Sequence, residues 1–151
     1  MFNDSQQSNN QNRNIDGLDD KDGFYITGVL HGTHGQYAVN YGVIFIAQCA
    51  CEVVSVAEAH GVANGAVLTL DIEKLTGTTA AGSGTSVLLA QFDLNGTANT
   101  VVNKNYKTLT NRTLNAGDRL ALKPTATGGY VSIADVIITL YLKPLGKGHY
   151  R

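Results

Sequence analysis

The sequence predicts an all-β protein, a β-sandwich or jelly roll of about eight strands carrying an extended N-terminal arm. Three observations predict it. Apolar residues recur with a period of two in several short segments. Turn signals such as Asn64-Gly65, Ala116-Gly117-Asp118 and Thr127-Gly128-Gly129 punctuate those segments at regular spacing. No stretch carries a clean helical period, and a helix is plausible only briefly over residues 99–111.

The arm comes first. Ten of the first fourteen residues are Asn, Gln or Ser, and an acidic stretch from Asp16 to Asp22 follows. Such a tail buries too little apolar surface to offset its chain entropy, so residues 1–23 are expected to order on a partner. Near Gly23 the composition turns apolar with Phe24-Tyr25-Ile26, which opens a sandwich domain over residues 24–145. Residues 24–41 read as a strand and a loop joining arm to body.

From Val43 to Ala59 the odd positions, including Phe45, Ala47, Cys51, Val53 and Ala57, alternate with Gln48, Glu52 and Glu58. That marks one half-buried strand, or two with a bend between them. Leu68, Leu70 and Ile72 then alternate with Thr69, Asp71 and Glu73, which places the carboxylates outside. Residues 76–85 are a Gly/Thr/Ser-rich loop. From 87 to 94, Leu88, Ala90, Phe92 and Leu94 are expected inside, with Gln91 and Asp93 outside. Leu120 and Leu122 form a short strand. Residues 131–142 form a long β-branched one, with Ala134, Val136, Ile138, Leu140 and Leu142 on one face. Ile133, Ile137 and Tyr141 make its other face apolar too, as expected of a central strand or a subunit interface. A basic tail, residues 146–151, closes the chain.

The 151 residues carry a net charge of −1, from a net −3 over residues 1–23 balanced by +3 over 143–151. No basic stripe with interleaved aromatics appears, so nucleic acid is not expected as a partner. No apolar run approaches the roughly 20 residues that span a membrane, and the polar N-terminus does not read as a secretory signal. The sequons at Asn3, Asn95 and Asn111 are then coincidental. Cys49 and Cys51 lie too close along an extended backbone for an ordinary disulfide and read as free thiols of a core strand, in keeping with synthesis in a cytoplasm.

Candidate chemistry is sparse. His31 and His34 lack a third metal ligand and helical spacing. The acidic run 16–22 lacks the spacing of a calcium loop and reads as a solvated or partner-facing hinge. Asp71 and Glu73 lie about 7 Å apart on one strand face, a separation that mimics a glycosidase pair, but a polar outer face needs such residues anyway. Tyr106 and Tyr130 suit sugar stacking or a protein interface equally. No catalytic, metal or cofactor fingerprint is present.

Several stretches carry a resemblance. They are residues 51–60, Cys51-Glu52-Val53-Val54-Ser55-Val56-Ala57-Glu58-Ala59-His60, and then Leu68-Thr69-Leu70-Asp71-Ile72 after a turn. Gly84-Thr85-Ser86-Val87-Leu88, Gly117-Asp118-Arg119-Leu120-Ala121-Leu122 and Val136-Ile137-Ile138-Thr139-Leu140 follow. In these the body, from Val43 to Pro144, resembles the capsid decoration or cement proteins of tailed bacteriophages, over about two-thirds of the chain. The resemblance implies a virion structural protein without cofactor. It would sit on the capsid exterior as a homotrimer and join neighbouring major capsid protein subunits. On this reading the arm, with Asn10, Asn12, Arg13, Ile15, Leu18 and Phe24, contacts the capsid, while Ile133, Ile137 and Tyr141 form the trimer interface. The alternative is a tail or head-fibre receptor- or glycan-binding module using loops 76–85 and 126–130 as a rim. An enzyme acting on a polysaccharide through Asp71 is the third.

Overall fold

A computed structural model describes residues 23–30, 42–106, 108–127 and 132–145. Among them, ten strands form two antiparallel sheets. The first sheet holds β1 (Phe24–Leu30), β10 (Val136–Pro144), β3 (Cys51–Ala59) and β7 (Val102–Lys104), in that order, with β8 (Thr113–Leu114) beside β3 on the β7 edge. The second holds β2 (Gly42–Ile46), β9 (Arg119–Thr127), β4 (Val67–Leu75) and β5 (Thr85–Ser86), with β6 (Phe92–Asp93) beside β4. The chain crosses between sheets from β1 to β2, β2 to β3 and β3 to β4. It stays in the second sheet through β6, then crosses to β7–β8, back to β9 and over to β10. Counting β5–β6 and β7–β8 as one interrupted edge each leaves eight strand positions in jelly-roll order.

The core lies between the sheets. Val53, Val56, Val136, Ile138, Leu140 and Leu142 meet Leu68, Leu70, Ile72, Phe92, Leu120 and Leu122, all of them buried. Each inner face is one phase of a period-2 pattern, so the phase of every strand decides what is core.

Of the two readings of residues 43–59 the two-strand one holds, and two bulges change the phase within it. Residues 43–59 are two strands, one in each sheet. Ala47 sits buried at the crossing, where its N–H donates to Asp118 O and its own carbonyl accepts from Gly117 N–H, both at 2.8 Å. Gly117 takes φ +91°, which a side chain would resist. Within β3, Tyr141 pairs with Ser55 but Leu142 pairs with Val53, so Val54 is an extra, bulged residue. The bulge flips the phase. Cys51 and Val53 point in, then Val56, Glu58 and His60 do, and Ser55, Ala57 and Ala59 turn outward. In β2 a second bulge at Ile44 leaves Val43 exposed.

Other segments are redrawn by covering and by breaks. Asp71 and Glu73, expected outside, are buried. Residues 87–94 are not one strand: β5 and β6 are separated by a bend where Leu89 and Ala90 are exposed, and Ala90 is thus outside rather than inside. The strand at Leu120 and Leu122 runs on through Pro124 to Thr127. The last strand begins only at Val136, after Asp135 at φ 57°. A single helical turn, α1 (Leu109–Arg112), replaces the brief helix, and Lys74 Nζ donates to Thr110 O (2.8 Å) and Thr113 O (3.1 Å) beside it.

The bulge makes a direct prediction. Deleting Val54 leaves Val53 and Ser55 in regular succession opposite Leu142 and Tyr141, and keeps Val56 and Glu58 inward. The deletion is therefore expected to keep a cooperative urea transition, whereas inserting an alanine between Ser55 and Val56 turns Val56 and Glu58 outward and is expected to abolish it. An insertion variant with the wild-type midpoint contradicts this.

Candidate functional site

The carboxylates of β4 are occupied in holding a loop. Gly82 N–H donates to Glu73 Oε1, and Gly84 N–H donates to Glu73 Oε2 at 2.8 Å. Asp71 Oδ1 accepts from Ile72 N–H (2.8 Å) and Ser86 Oγ–H (2.7 Å). From β9, the Arg119 guanidinium donates to Gly77 O (3.0 Å) and Thr79 O (2.8 Å). Residue 84 is glycine for a steric reason: a Cβ there would lie 2.5 Å from Leu75 and 2.6 Å from Lys74 O. The loop therefore folds back and covers Asp71, Glu73 and Leu75. A catalytic pair has to reach substrate, and Glu73 and Asp71 are 1% and 6% exposed. Glu73→Ala strands two backbone donors and is expected to cost about 1–3 kcal/mol, with faster amide exchange over 77–84. Unchanged exchange there contradicts the anchoring role.

A second polar pair comes from the bulge. Glu58 and His60 follow it in inward phase and are both buried. His60 Nδ1 lies 2.8 Å from Glu58 Oε1, and Nε2 lies 3.4 Å from Gly96 O. Asn99 N–H donates to His60 O at 2.7 Å, so this end of β3 holds the β6–β7 connection. Glu58 Oε2 has no hydrogen-bond partner among the described residues. Burial pushes the Glu58 carboxyl above its ordinary range, and the hydrogen bond and charge of His60 pull it back in part. A raised pKa contributes stability fully below the unfolded value, roughly pH 4, and loses it as pH rises through the folded value. Glu58→Gln removes that titration. Wild-type stability relative to Glu58→Gln is expected to fall as pH rises above about 4 in urea denaturation. A constant difference contradicts this.

The remaining candidates are structural as well. Cys51 is buried and free, its thiol pushed up to about 12 by burial first and by Cys49 and Asp118 second. Cys49, also free, is half-buried in the bend before β3. Tyr106 is covered by the Arg112 guanidinium, 4.6 Å from its ring centroid, and Arg112 also pairs with Glu52 at 2.6 Å. Among the described residues no three His, Cys, Asp or Glu side chains gather as a metal site would need. Of the rim of the glycan-binding alternative, residues 76–85 and 126–127 are described and 128–130 lie outside the described residues. Leu75, before loop 76–84, pairs with Arg119, whereas Thr127 pairs with Val67 at the other end of the ladder, roughly 27 Å away by strand rise.

What is left is the outer face of the first sheet. Its register stacks three rows across the strands. Tyr25, Tyr141 and Ser55 form one, Thr27, Thr139, Ala57 and Asn103 the next, and Val29, Ile137 and Ala59 the third. None of these ten side chains is charged. Tyr25 is 71% exposed, Val29 45% and Ile137 44%. The Tyr25 and Tyr141 rings lie 4.8 Å apart, and Tyr141 Oη accepts the Gly23 N–H at 3.0 Å. Gly23 admits that approach, since a Cβ there would meet the Tyr141 ring at 2.4 Å.

Of the expected interface residues, Ile137 and Tyr141 lie together on this face. Ile133 does not: it is 4% exposed and packs in the core, because the break at Asp135 shifts its phase from that of β10. Phe24 belongs to the body rather than to an arm, half-buried with its ring centroid 5.7 Å from that of Phe45. Asn10, Asn12, Arg13, Ile15 and Leu18 lie outside the described residues, as do the acidic run 16–22, His31, His34, Tyr130 and the tail 146–151. The sequence reading missed Tyr25, Thr27 and Val29. Their signal was present in Phe24–Leu30, a strand whose two phases are both uncharged.

No protein-family model matches the chain, and no curated protein matches it. Among solved structures, a chain in the structure of infectious bursal disease virus Gx strain is similar in backbone. Its TM-score is 0.35 and its identity 13%, over 86% of this chain and 38% of that one. This chain thus spans well under half of that neighbour. The fold assignment rests on the strand order described above, and strand order alone defines no function.

Proposed function

We propose that this chain is a virion structural protein: a capsid decoration (cement) protein that binds the outer capsid surface as a homotrimer and stabilises contacts between major capsid protein subunits. The observation that carries the reading is the uncharged ten-residue patch on the outer face of the β1-β10-β3-β7 sheet, bordered by the charged row of Lys143 and Glu52. An uncharged patch of Tyr, Val, Ile, Ala, Thr, Ser and Asn with charges at its margin has the composition of an interface core and rim. Tyr25, Val29, Ile137 and Tyr141 would supply the contact between copies. The resemblance of the body segments to decoration proteins supplies the capsid setting. The arm residues Asn10, Asn12, Arg13, Ile15 and Leu18 would reach the major capsid protein. Three arms on one trimer bind with avidity, and binding of the assembled subunit stabilises the lattice by mass action. The engagement of Asp71, Glu73, Glu58 and His60 inside the fold supports a role without catalysis.

The reading is tested by light scattering and by copy number. Ile137→Asp places an unpaired charge in the middle of the face and is expected to weaken trimer association more than ten-fold without changing the circular dichroism spectrum. On native particles the copy number is expected to scale with that of the major capsid protein. A variant that trimerises like the wild type overturns the interface. A handful of copies per particle favours the tail or head-fibre module instead.

A further inference from the structure

The two sheets end in four edges, and three of them are blunted. The β7–β8 edge is broken into strands of three and two residues, and the β5–β6 edge into two of two. The β2 edge has five residues and a bulge. β1 is different. Its seven residues pair with β10 in unbroken register, from Phe24 with Leu142 to Leu30 with Val136. It contains no charge, no proline and no bulge. Folded proteins protect edges with those devices because unpaired N–H and C=O groups are a template for another strand. Among the described residues no strand pairs with the outer side of β1.

We propose that β1 pairs antiparallel with β1 of a second copy of this chain, across a two-fold axis at Thr27, so that the two copies share one continuous sheet. The strand suits itself as a partner. With Thr27 facing Thr27, Tyr25 faces Val29, Ile26 faces Gly28 and Phe24 faces Leu30. This register keeps the exposed positions 25, 27 and 29 on one side and the inward positions on the other, whereas a one-residue slip would mix them. No charge is buried. Ile26 arrives opposite Gly28, beside a half-open groove of about 320 Å³ between β1 and β2. A second copy also has no other regular edge of this length to offer among its described residues. The contact joins backbone edges rather than sheet faces, so it stands apart from the trimer reading; beside a three-fold, it would link trimers to one another.

Charge exchange on the full-length chain tests it, in an Ile137→Asp background that removes the face contact. Like charges directly opposite one another destabilise a strand pair, and opposite charges stabilise it. The background protein is expected to run as a dimer by light scattering, with amide exchange over 24–30 slower in the dimer than on dilution. Adding Thr27→Lys or Thr27→Glu alone is expected to weaken dimerisation at least ten-fold, and an equimolar mixture of the two to restore it. Thr27 is exposed, and circular dichroism verifies that each variant folds. A mixture no better than either variant alone overturns the proposal. So does slow exchange, in the dilute monomer, at those alternate amides of 24–30 that do not donate to β10, which would place the chain's own residues on that edge.

Discussion

The antiparallel ladder between β3 and β10 carries one extra residue, Val54, and the rest of the first sheet follows from it. Before the bulge Cys51 and Val53 face the core; after it Val56, Glu58 and His60 do. The same step turns Ser55, Ala57 and Ala59 outward, in register with Tyr141, Thr139 and Ile137. A sheet strand has two faces only, so a bulge that absorbs one residue exchanges core and surface, relative to strict alternation, for every residue beyond it. In strict alternation the same sequence would turn Glu58 outward among Tyr141, Thr139 and Ile137. The composition of the outer face and the buried Glu58–His60 pair are thus two consequences of one bulge.

The polar interior has a consistent logic. Buried carboxylates are tolerated when partners meet their oxygens. Glu73 receives two backbone N–H groups from a glycine-rich loop, and Asp71 receives a hydroxyl and a backbone N–H. Both therefore act as internal staples for residues 76–86, in place of further apolar packing. Glu58 is the exception: one oxygen meets His60 and the other meets no polar group among the described residues. That cost sits where β3 meets the β6–β7 connection, and burial accounts for the direction of its shifted titration. None of these groups is open to a substrate, and what the molecule offers its surroundings is surface.

Much of the fold is legible in the sequence, and the failures share physical causes. Alternation and turn residues identify an all-β sandwich, the alternating core of β4 and the outward Ile137 and Tyr141. The bulge is hidden because Val53, Val54 and Val56 are all valine, so the phase change leaves no gap in the apolar pattern. Asp71 and Glu73 read as surface because carboxylates on a half-buried strand normally are; a loop ten residues downstream in sequence covers them, and alternation within one strand carries no trace of it. The strand after Asp118 reads as short because Pro124 lacks an N–H, although Leu120, Leu122, Pro124 and Ala126 keep one phase along β9. Counting twos across Asp135 puts Ile133 on the outer face, and the left-handed backbone of Asp135 resets that count.

The proposed docking covers the outer face of the first sheet in the assembled state. Hydroxyl-radical footprinting of the native particle, compared with the free subunit, tests it most directly, because Tyr25 and Tyr141 lie on that face and react readily when wet. Strong protection of both tyrosines is expected in the particle, with unchanged labelling at exposed Leu89. Equal labelling of Tyr25 in particle and free subunit would contradict it.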